Sequence, residues 1–332
     1  MFVIMSRGGF SVHKNILWGA LLCLIASASW GSMFPVANHA FLYIDPFWFT
    51  IVRYVPVAII LIIALYFVGG KKAFKTEGNG FVLWFFGTMG FVVYNLLIFV
   101  GQDLLGDPGI LLASIMEALA PMLSVFILWI IHRNNPNWFT LLCIIGAFIG
   151  VFLVVSNGNI AILFGENRLF PLFLLLLAAL GWALYTIGGG HFSGWSVLRY
   201  STLSCLYGTA TATFVVIIGS VIGFIEVPTA TVLYNVRYDM LFMIFVPGLI
   251  ALIAWNKGVS ILKPINAILF INFAPVTTLI IRLIQGYSIS NYELIGVFLV
   301  CSMIVANNIY QRLQLKKSNF TNKRQVALES TQ

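Results

Sequence analysis

The sequence predicts an all-α membrane protein with ten transmembrane helices arranged in two inverted five-helix repeats. Hydrophobic residues make up 61% of the chain and charged residues only 8%, whereas soluble domains carry roughly 25% charged residues. A chain this apolar has too little polar surface to coat a soluble globule, so lipid must cover most of it. Short sequence patterns also recur about 150 residues apart, which indicates two halves built on one plan.

The membrane spans follow from the length of the apolar segments. Each segment approaches the ~20 residues that a helix needs to cross the hydrocarbon core, and this length favours helices over the ~10-residue alternating strands of a membrane barrel. We predict spans at 16–36, 47–68, 81–103, 109–131, 137–156, 169–189, 197–224, 240–261, 264–286 and 292–312. The first could instead be a signal-peptide core, because Ala26-Ser27-Ala28 resembles a cleavage site. Cleavage would leave nine spans.

The basic residues orient the chain. With the N-terminus inside, most of the 18 lysines and arginines fall in cytoplasmic segments, and the outer loops hold only Arg168 and Arg237. This bias is a positive-inside signal. Both termini are basic, so the number of spans must be even. The net charge of +8 therefore reflects membrane topology rather than nucleic-acid binding, and we predict a cell-membrane protein with both termini cytoplasmic.

The repeat boundaries follow from the spans. We predict the first repeat at 1–156, an outer connecting loop at 157–168, the second repeat at 169–312 and a disordered cytoplasmic tail at 313–332, where Lys, Asn and Gln are frequent. Each repeat has five spans. Because five is an odd number, the second repeat enters the membrane from the side opposite to the first. The repeats are therefore inverted, a plan that is common among secondary transporters.

Three pairs of patterns carry the repeat. In the order of the chain they are Trp30-Gly31 with Trp182-Ala183, Ala113-Ser114…Ala120-Pro121 with Ala267-Ile268…Ala274-Pro275, and Ile145-Gly146-Ala147-Phe148 with Ile295-Gly296-Val297-Phe298. Prolines inside spans kink membrane helices. The repeat-related Pro121 and Pro275 are therefore candidate hinges, although prolines in mid-span are common in membrane helices.

Glu117 is the strongest candidate functional residue. It lies about 12 Å along the fourth span at 1.5 Å per residue, and a charge at that depth costs several kcal/mol unless it is paired or solvated. Its repeat counterpart is Ile271, so the fold itself does not require a carboxylate there. Glu117 either faces a cavity, where it binds a substrate amine or a coupling proton, or forms a structural pair with a neighbouring helix.

Three further charged residues lie in or near spans. Asp103 and Lys257 are repeat-related, so inversion places them near opposite faces of the membrane, where each could belong to a gate or extend to the interface. Arg53 could pair with Asp45 or Asp103, and a structural pair is favoured over a ligand contact.

Neutral polar and aromatic residues complete the predicted substrate-binding set. Buried amides need partners, so an Asn in a span either bridges helices or faces substrate. Trp30 and Trp182 occupy corresponding positions in the two repeats, which strengthens their prediction as binding residues, although Trp also anchors helices at the interface. With Glu117, the predicted set is Trp30, Tyr94, Asn95, Trp182, Tyr185, Asn256 and Asn272.

Catalytic and metal-binding patterns are absent from the sequence. The histidines and the four cysteines show no ligand spacing, and no phosphate-binding loop or nucleophile elbow occurs. We therefore expect no enzyme activity, no metal and no cofactor. Gly146-x-x-x-Gly150 and Gly219-x-x-x-Gly223 allow close helix approach, within the chain or in a homodimer, so the protein is predicted to be a monomer or homodimer.

The ordered motifs resemble those of EamA-type transporters in the drug/metabolite transporter superfamily. The resemblance covers residues 16–312 and rests on Ser29-Trp30-Gly31-Ser32, Arg53, Ala113-Ser114…Ala120-Pro121, Trp255-Asn256-Lys257-Gly258-Val259, Pro264, Ala267, Phe270 and Ala274-Pro275-Val276. It implies ten helices in two inverted repeats, a central cavity and export of small metabolites, including amino acids. His132-Arg133 and Gln285-Gly286 depart from the usual pattern, which weakens kinship to any one member.

These observations predict a secondary active exporter that works by alternating access, with a small molecule and the lipid bilayer as partners and protons as a candidate coupling ion. No ATP-binding domain is present, so energy must come from a gradient, exchange or downhill flow. The alternatives are a multi-pass membrane enzyme acting on a lipid-linked substrate, and a channel or sensor. The polar residues are too dispersed to favour the enzyme.

Overall fold

A computed structural model describes residues 7–133, 137–159, 168–192, 194–262 and 267–329, and these ranges contain helices and no strands. Nine helices in these ranges are long and apolar enough to cross a membrane, and Phe270–Ile284 forms a shorter apolar helix. This confirms the all-α membrane fold. The helices are α1 Arg7–Ala40, α2 Pro46–Gly69, α3 Gly80–Leu105, α4 Asp107–His132, α5 Trp138–Ser156, α6 Leu169–His191, α7 Val197–Val221, α8 Arg237–Leu262, α9 Phe273–Ile284 and α10 Asn291–Glu329.

Several helices begin at a side chain that caps them. The Asp45 carboxylate accepts a hydrogen bond from the Phe47 N–H at 2.8 Å, and Pro46 occupies the first helical position of α2. The Asn137 side chain accepts from the Phe139 N–H at 3.0 Å at the start of α5. Both caps satisfy N–H groups that the first helical turn leaves without a partner.

The two repeats pack against each other in a symmetric pattern. Helix α1 packs on α8 and α9, and its repeat counterpart α6 packs on α3 and α4. Helix α2 packs on its own counterpart α7, and α5 packs on its counterpart α10. Every one of these pairings maps onto itself or onto another when the repeats are exchanged. This is the pattern that a pseudo-two-fold axis between inverted repeats requires.

Helices α3 and α8 each contain a π-helical segment at a repeat-related position. The segments are Met89–Tyr94 and Ile244–Ile250, and the offset that relates Ala113 to Ala267 also relates Tyr94 to Gly248. Pro247 lies inside the second segment and lacks the N–H of an α-helical bond. π-Helical turns are rare and occur frequently at functional sites, and both segments adjoin the cavity described below.

Two sequence predictions differ from the structure. The ninth span is predicted at 264–286, and residues 264–266 lie outside the described ranges. A 3-10 turn at Ile268–Asn272 precedes α9. Helix α10 is described as far as Glu329, so it includes most of the segment predicted as a disordered tail at 313–332. A helix that is already nucleated in the membrane extends readily, and the tail contains Leu, Gln, Lys and Ala, which are good helix formers.

Glycines allow the closest helix contacts between the repeats. A Cβ on Gly150 would lie 2.7 Å from the Gly296 carbonyl oxygen, and one on Gly146 would lie 2.8 Å from the Met303 sulfur. The Gly146-x-x-x-Gly150 pattern therefore packs α5 on α10 within the chain.

Helices α3 and α7 meet at Gly87 and Gly208, and we expect Gly208→Ala to destabilise the protein. A Cβ on Gly208 would lie 2.3 Å from the Gly87 carbonyl oxygen and 2.7 Å from the Phe91 Cβ. Overpacking of this kind costs about 1–3 kcal/mol, so the melting temperature in detergent should fall. Gly190→Ala is the matched control, because no neighbouring group outside its own helix backbone lies within 4 Å of its added Cβ in the described ranges. An equal loss in both variants would contradict the packing argument.

Cross-repeat ion pairs join the helices at one end of the bundle, called the Asp107 end because α4 begins there. Arg282 in the last turn of α9 donates to Asp107 at 2.7 Å. His39 in the last turn of α1 lies 3.0 Å from Asp239 in the first turn of α8. Both pairs link the first repeat to the second at this end of the bundle.

A third cross-repeat contact lies at the opposite end, called the Glu77 end. Arg199 donates to the Glu77 carboxylate at 2.8 Å and stacks 3.9 Å above the Trp195 ring, and Trp195 Nε1 donates to Glu77 at 3.1 Å. The hydrogen bonds from Arg199 and then Trp195 hold the pKa of the exposed Glu77 carboxyl below its usual value. Glu77 therefore remains ionised, and this link is intact, at neutral pH.

Candidate functional site

A cavity of about 250 Å³ lies between the two repeats. Its wall is formed by residues of α1, α2, α3, α4, α6, α7 and α8, so both repeats contribute. The π-helical segments contribute Phe91 and Tyr94 from α3, and Pro247 and Gly248 from α8. The two helices with irregular backbone therefore meet at this cavity.

The cavity contains most of the residues that the sequence predicted for substrate binding. Those in its wall are Trp30, Tyr94, Glu117, Trp182, Tyr185 and Asn256. Arg53, predicted as a gate or ion-pair residue, also lies in the wall. Asn95 and Asn272 are buried outside it. Asp103 and Lys257 are exposed and also lie outside it.

Aromatic rings form two walls of the cavity. On one side the Trp30 and Trp255 rings lie 5.4 Å apart, and Trp30 Nε1 donates to the Pro247 carbonyl oxygen at 3.2 Å, which fixes the ring against the π-helical segment of α8. On the other side the Trp182 ring lies 4.9 Å from Tyr94 and 5.2 Å from Tyr185. Rings of this kind bind apolar groups by stacking and cations through their negative faces.

Arg53 is almost fully buried, with 2% of its surface exposed. Its Nη1 points at the Met33 sulfur at 3.7 Å, its guanidinium lies 4.7 Å above the Tyr54 ring, and its Nε has no hydrogen-bond partner among the described residues. The predicted ion pair with Asp45 or Asp103 does not form, because the described residues place no carboxylate oxygen within 4.0 Å of this guanidinium. The reason is geometric, since Asp103 is exposed while Arg53 points inward.

Glu117 lies in the middle of α4 with 4% of its surface exposed. Its Oε2 and the Tyr94 hydroxyl each lack a partner with full hydrogen-bond geometry among the described residues. The two side chains both line the cavity and lie close enough to interact with each other. Buried polar atoms in native proteins are normally hydrogen-bonded. Their unused bonding capacity in a cavity wall is therefore available to a ligand or to water.

Asn95 has a different role from the one its mid-span position suggested. Its Nδ2 donates to the Gly90 carbonyl oxygen at 2.8 Å, which supplies a partner to a carbonyl in the π-helical segment. Gly90 itself packs against the Tyr185 ring, which would lie 2.7 Å from an added Cβ. Asn95 thus bonds to the backbone segment that carries Tyr94, and its side chain also interacts with Tyr54 of the cavity wall.

The two candidate hinge prolines lie in different surroundings. Pro121 is inside α4, one turn after Glu117. Pro275 is in the first turn of α9, directly after the 3-10 turn, where a missing N–H removes no helical hydrogen bond. The irregular backbone next to α9 is therefore the 3-10 turn, which precedes Pro275 in the chain.

Several cavity residues were missed by the sequence analysis. They are mainly Met33, Tyr54, Phe91, Tyr200, Ser201 and Trp255. Tyr54 follows Arg53, and Trp255 precedes Asn256 in the family motif. Both lie next to residues that the sequence analysis had already selected. The others sit on helix faces whose rotation depends on packing, and no local pattern marks them.

A buried aromatic cluster lies beside Arg53, on the side of the cavity that faces the Asp107 end. There the Phe41, Phe49 and Phe99 rings meet at 5.0–5.9 Å between centroids, and Phe49 and Phe99 are fully buried. Toward the Glu77 end, Thr186 in the cavity wall is exposed. The space is therefore asymmetric, with a packed aromatic cluster on one side and an accessible wall on the other.

Comparisons with known proteins agree with this architecture. Residues 17–156 and 169–308 each match the EamA-like transporter family, so the matched halves coincide with the two repeats. The chain is 47% identical over 311 residues to a Bacillus subtilis (strain 168) protein described as "Uncharacterized transporter YrdR", covering 91% of this chain and 97% of that one. It is 26% identical over 289 residues to "Uncharacterized transporter YyaM" of the same organism, covering 87% of this chain and 92% of that one.

A crystal structure of another protein has the same fold. Its TM-score to this chain is 0.61 and its sequence identity is 16%, and the match covers 89% of this chain and 98% of the other. Two matched repeats, transporter relatives that align along nearly their whole length and the symmetric helix packing all point to one conclusion. The chain belongs to the EamA-like transporter family.

Proposed function

We propose that the protein is a secondary active transporter that exports small metabolites, such as amino acids or related organic compounds, by alternating access. The observation that carries the proposal is the cavity between the inverted repeats, flanked by the buried aromatic cluster on the side that faces the Asp107 end and bordered by the exposed Thr186 toward the Glu77 end. Its volume of about 250 Å³ suits molecules of metabolite size.

The cross-repeat ion pairs supply a physical basis for alternation. His39–Asp239 and Asp107–Arg282 link the repeats at the Asp107 end, and Glu77–Arg199 links them at the other end. Because each pair is exposed on at least one side, its net stabilisation is small. Pairs of this strength break and re-form as one repeat rocks against the other.

Protons are the proposed coupling ion, with Glu117 as the carrier. It is the acidic group in the cavity wall, and a carboxyl in that position binds either a proton or a cationic group of the substrate. Competition between the two for one site couples inward proton movement to outward substrate movement.

The positive-inside distribution supports an orientation with both termini in the cytoplasm. Lys71, Lys72 and Lys75 then lie on the cytoplasmic side, at the Glu77 end. The exposed Thr186 of the cavity wall lies toward that side, which suits an exporter that loads its substrate from the cell interior. The proposed location is the cell membrane.

Transport in proteoliposomes tests this function against the alternatives. A thermal-shift screen of amino acids and other metabolites identifies a ligand, and counterflow of that ligand in its labelled form is then measured. We expect saturable exchange that unlabelled ligand inside the vesicles accelerates. Linear flux without exchange would indicate a channel instead, and chemical conversion of the ligand would indicate an enzyme.

A further inference from the structure

We propose that Arg53 binds an oxyanion of the transported molecule, normally a carboxylate, and that Arg53 and Glu117 together make the cavity selective for compact zwitterions. The inference rests on the proposed function in one respect: the molecule bound in the cavity is the one transported. It specifies which charges that molecule must carry.

No carboxylate oxygen in the described part of the chain lies within 4.0 Å of the Arg53 guanidinium, although Glu117 is near enough to interact with it electrostatically. Its guanidinium contacts the Met33 sulfur, the Tyr54 ring at 4.7 Å and the Phe99 ring at 5.9 Å. Its Nε lacks a hydrogen-bond partner among the described residues. None of these neighbours accepts a strong hydrogen bond, because a thioether sulfur is a weak acceptor and the rings offer only their faces.

A buried guanidinium in this position is expensive unless an anion joins it. Removing a charge from water costs several kcal/mol, and hydrogen-bonded counter-charge offsets the cost. The guanidinium also presents its donors in a planar fork that matches carboxylate or phosphate oxygens. A residue held in a cavity wall with unused donors is therefore suited to capture an oxyanion that arrives through the cavity.

Glu117 supplies the opposite charge. Arg53 and Glu117 are the charged residues among those that line the cavity, and the described residues place no salt bridge between them. The Trp30 and Trp182 rings line the cavity on its two aromatic sides, and ring faces of this kind stabilise a cation. A molecule with one acidic and one cationic group satisfies both residues at once, whereas a neutral molecule or a simple cation leaves Arg53 without an anion.

Matched ligands test the charge requirement by thermal shift of the purified full-length protein. Each common amino acid is compared with its amide, its decarboxylated amine and its deaminated acid, and inorganic phosphate is included to separate carboxylate from phosphate recognition. We expect at least one amino acid to raise the melting temperature and its amide and amine to bind at least tenfold more weakly. Equal binding of amide and acid, or no stabilisation by any carboxylate-bearing compound, would overturn the proposal, and stabilisation by phosphate alone would overturn the carboxylate assignment.

Variants separate ligand binding from a structural role. Arg53→Met should abolish the ligand-dependent shift while leaving the unliganded melting temperature unchanged or higher, because it removes an unpartnered buried charge. Arg53→Lys keeps the charge without the fork and should restore part of the shift. The matched control is Arg237→Met, since Arg237 also stacks on tyrosines, at 3.7 Å from Tyr234 and 4.4 Å from Tyr238, but lies outside the cavity.

Retention of the full ligand shift in Arg53→Met would sink the proposal. If that variant does not fold, Arg53→Lys and the ligand series still decide it. Binding that depends on Arg53 without any counterflow would refute transport and leave the inference intact. Counterflow of an amino acid amide, which lacks the carboxylate, at the rate of its parent amino acid would refute the inference and leave transport intact.

Discussion

Replacing Glu117 with glutamine is expected to lower pH-gradient-driven accumulation of the transported ligand by roughly tenfold or more. The substitution keeps the shape of the side chain and removes both the proton site and the negative charge. A charge-assisted hydrogen bond contributes about 1.5–3 kcal/mol, and 1.4 kcal/mol is tenfold in an equilibrium constant. Ligands with an amine should therefore bind more weakly, and exchange should persist only at higher ligand concentration.

The measurement is accumulation in proteoliposomes with and without an imposed pH gradient, with Glu293→Gln as the matched control. Glu293 is also a buried carboxylate, but it accepts hydrogen bonds from the Tyr287 hydroxyl at 2.6 Å and the Ser290 N–H at 2.9 Å, away from the cavity. This control should lose stability without losing its response to the gradient. Unchanged gradient-driven accumulation in Glu117→Gln would rule out Glu117 as the proton carrier.

Locking the Asp107 end is expected to reduce transport to a tenth or less of its normal rate. With His39 and Asp239 both replaced by cysteine, a short, reducible bifunctional thiol reagent should join α1 to α8 at the position of the present ion pair. The repeats could then no longer separate at this end, so the cavity could not open there. Binding measured by thermal shift should survive, because the pair lies outside the cavity wall.

The locking experiment requires a background without the four native cysteines. Cys23, Cys143 and Cys205 are buried and Cys301 is half-buried, so serine or alanine replacements are suitable. Either single-cysteine variant treated with the same reagent should transport normally, and reduction of the link should restore transport in the double variant. Full transport through the linked protein would show that this end does not open during the cycle.

Much of the architecture was predictable because it depends on local and repeated features. Apolar length fixed the spans, and the echoed Trp30 and Trp182 marked equivalent positions in the two repeats, both of which line the cavity. Glu117 could be singled out because burying a charge is costly wherever the helix packs. The same reasoning put Arg53 among the important residues, although its expected carboxylate partner was wrong.

Side-chain direction was less predictable because it depends on backbone irregularity and helix rotation. Asn95 was predicted to line the cavity, but its side chain bonds to the Gly90 carbonyl within a π-helical segment. No sequence pattern predicted that segment in α3. Pro247 gave a hint of irregular backbone in α8. The polar composition of 313–329 does not show that this segment continues α10, a helix that is already nucleated inside the membrane.

The central claim is that the transported molecule binds in the cavity between the repeats, with its charges matched to Arg53 and Glu117. The most direct measurement is an experimentally determined structure of the protein with the ligand identified by thermal shift. We expect the ligand between the Trp30 and Trp182 walls, with its acidic group on the Arg53 guanidinium and its amine toward Glu117. A ligand bound outside this cavity, or bound within it without contact to either charged residue, would contradict the account.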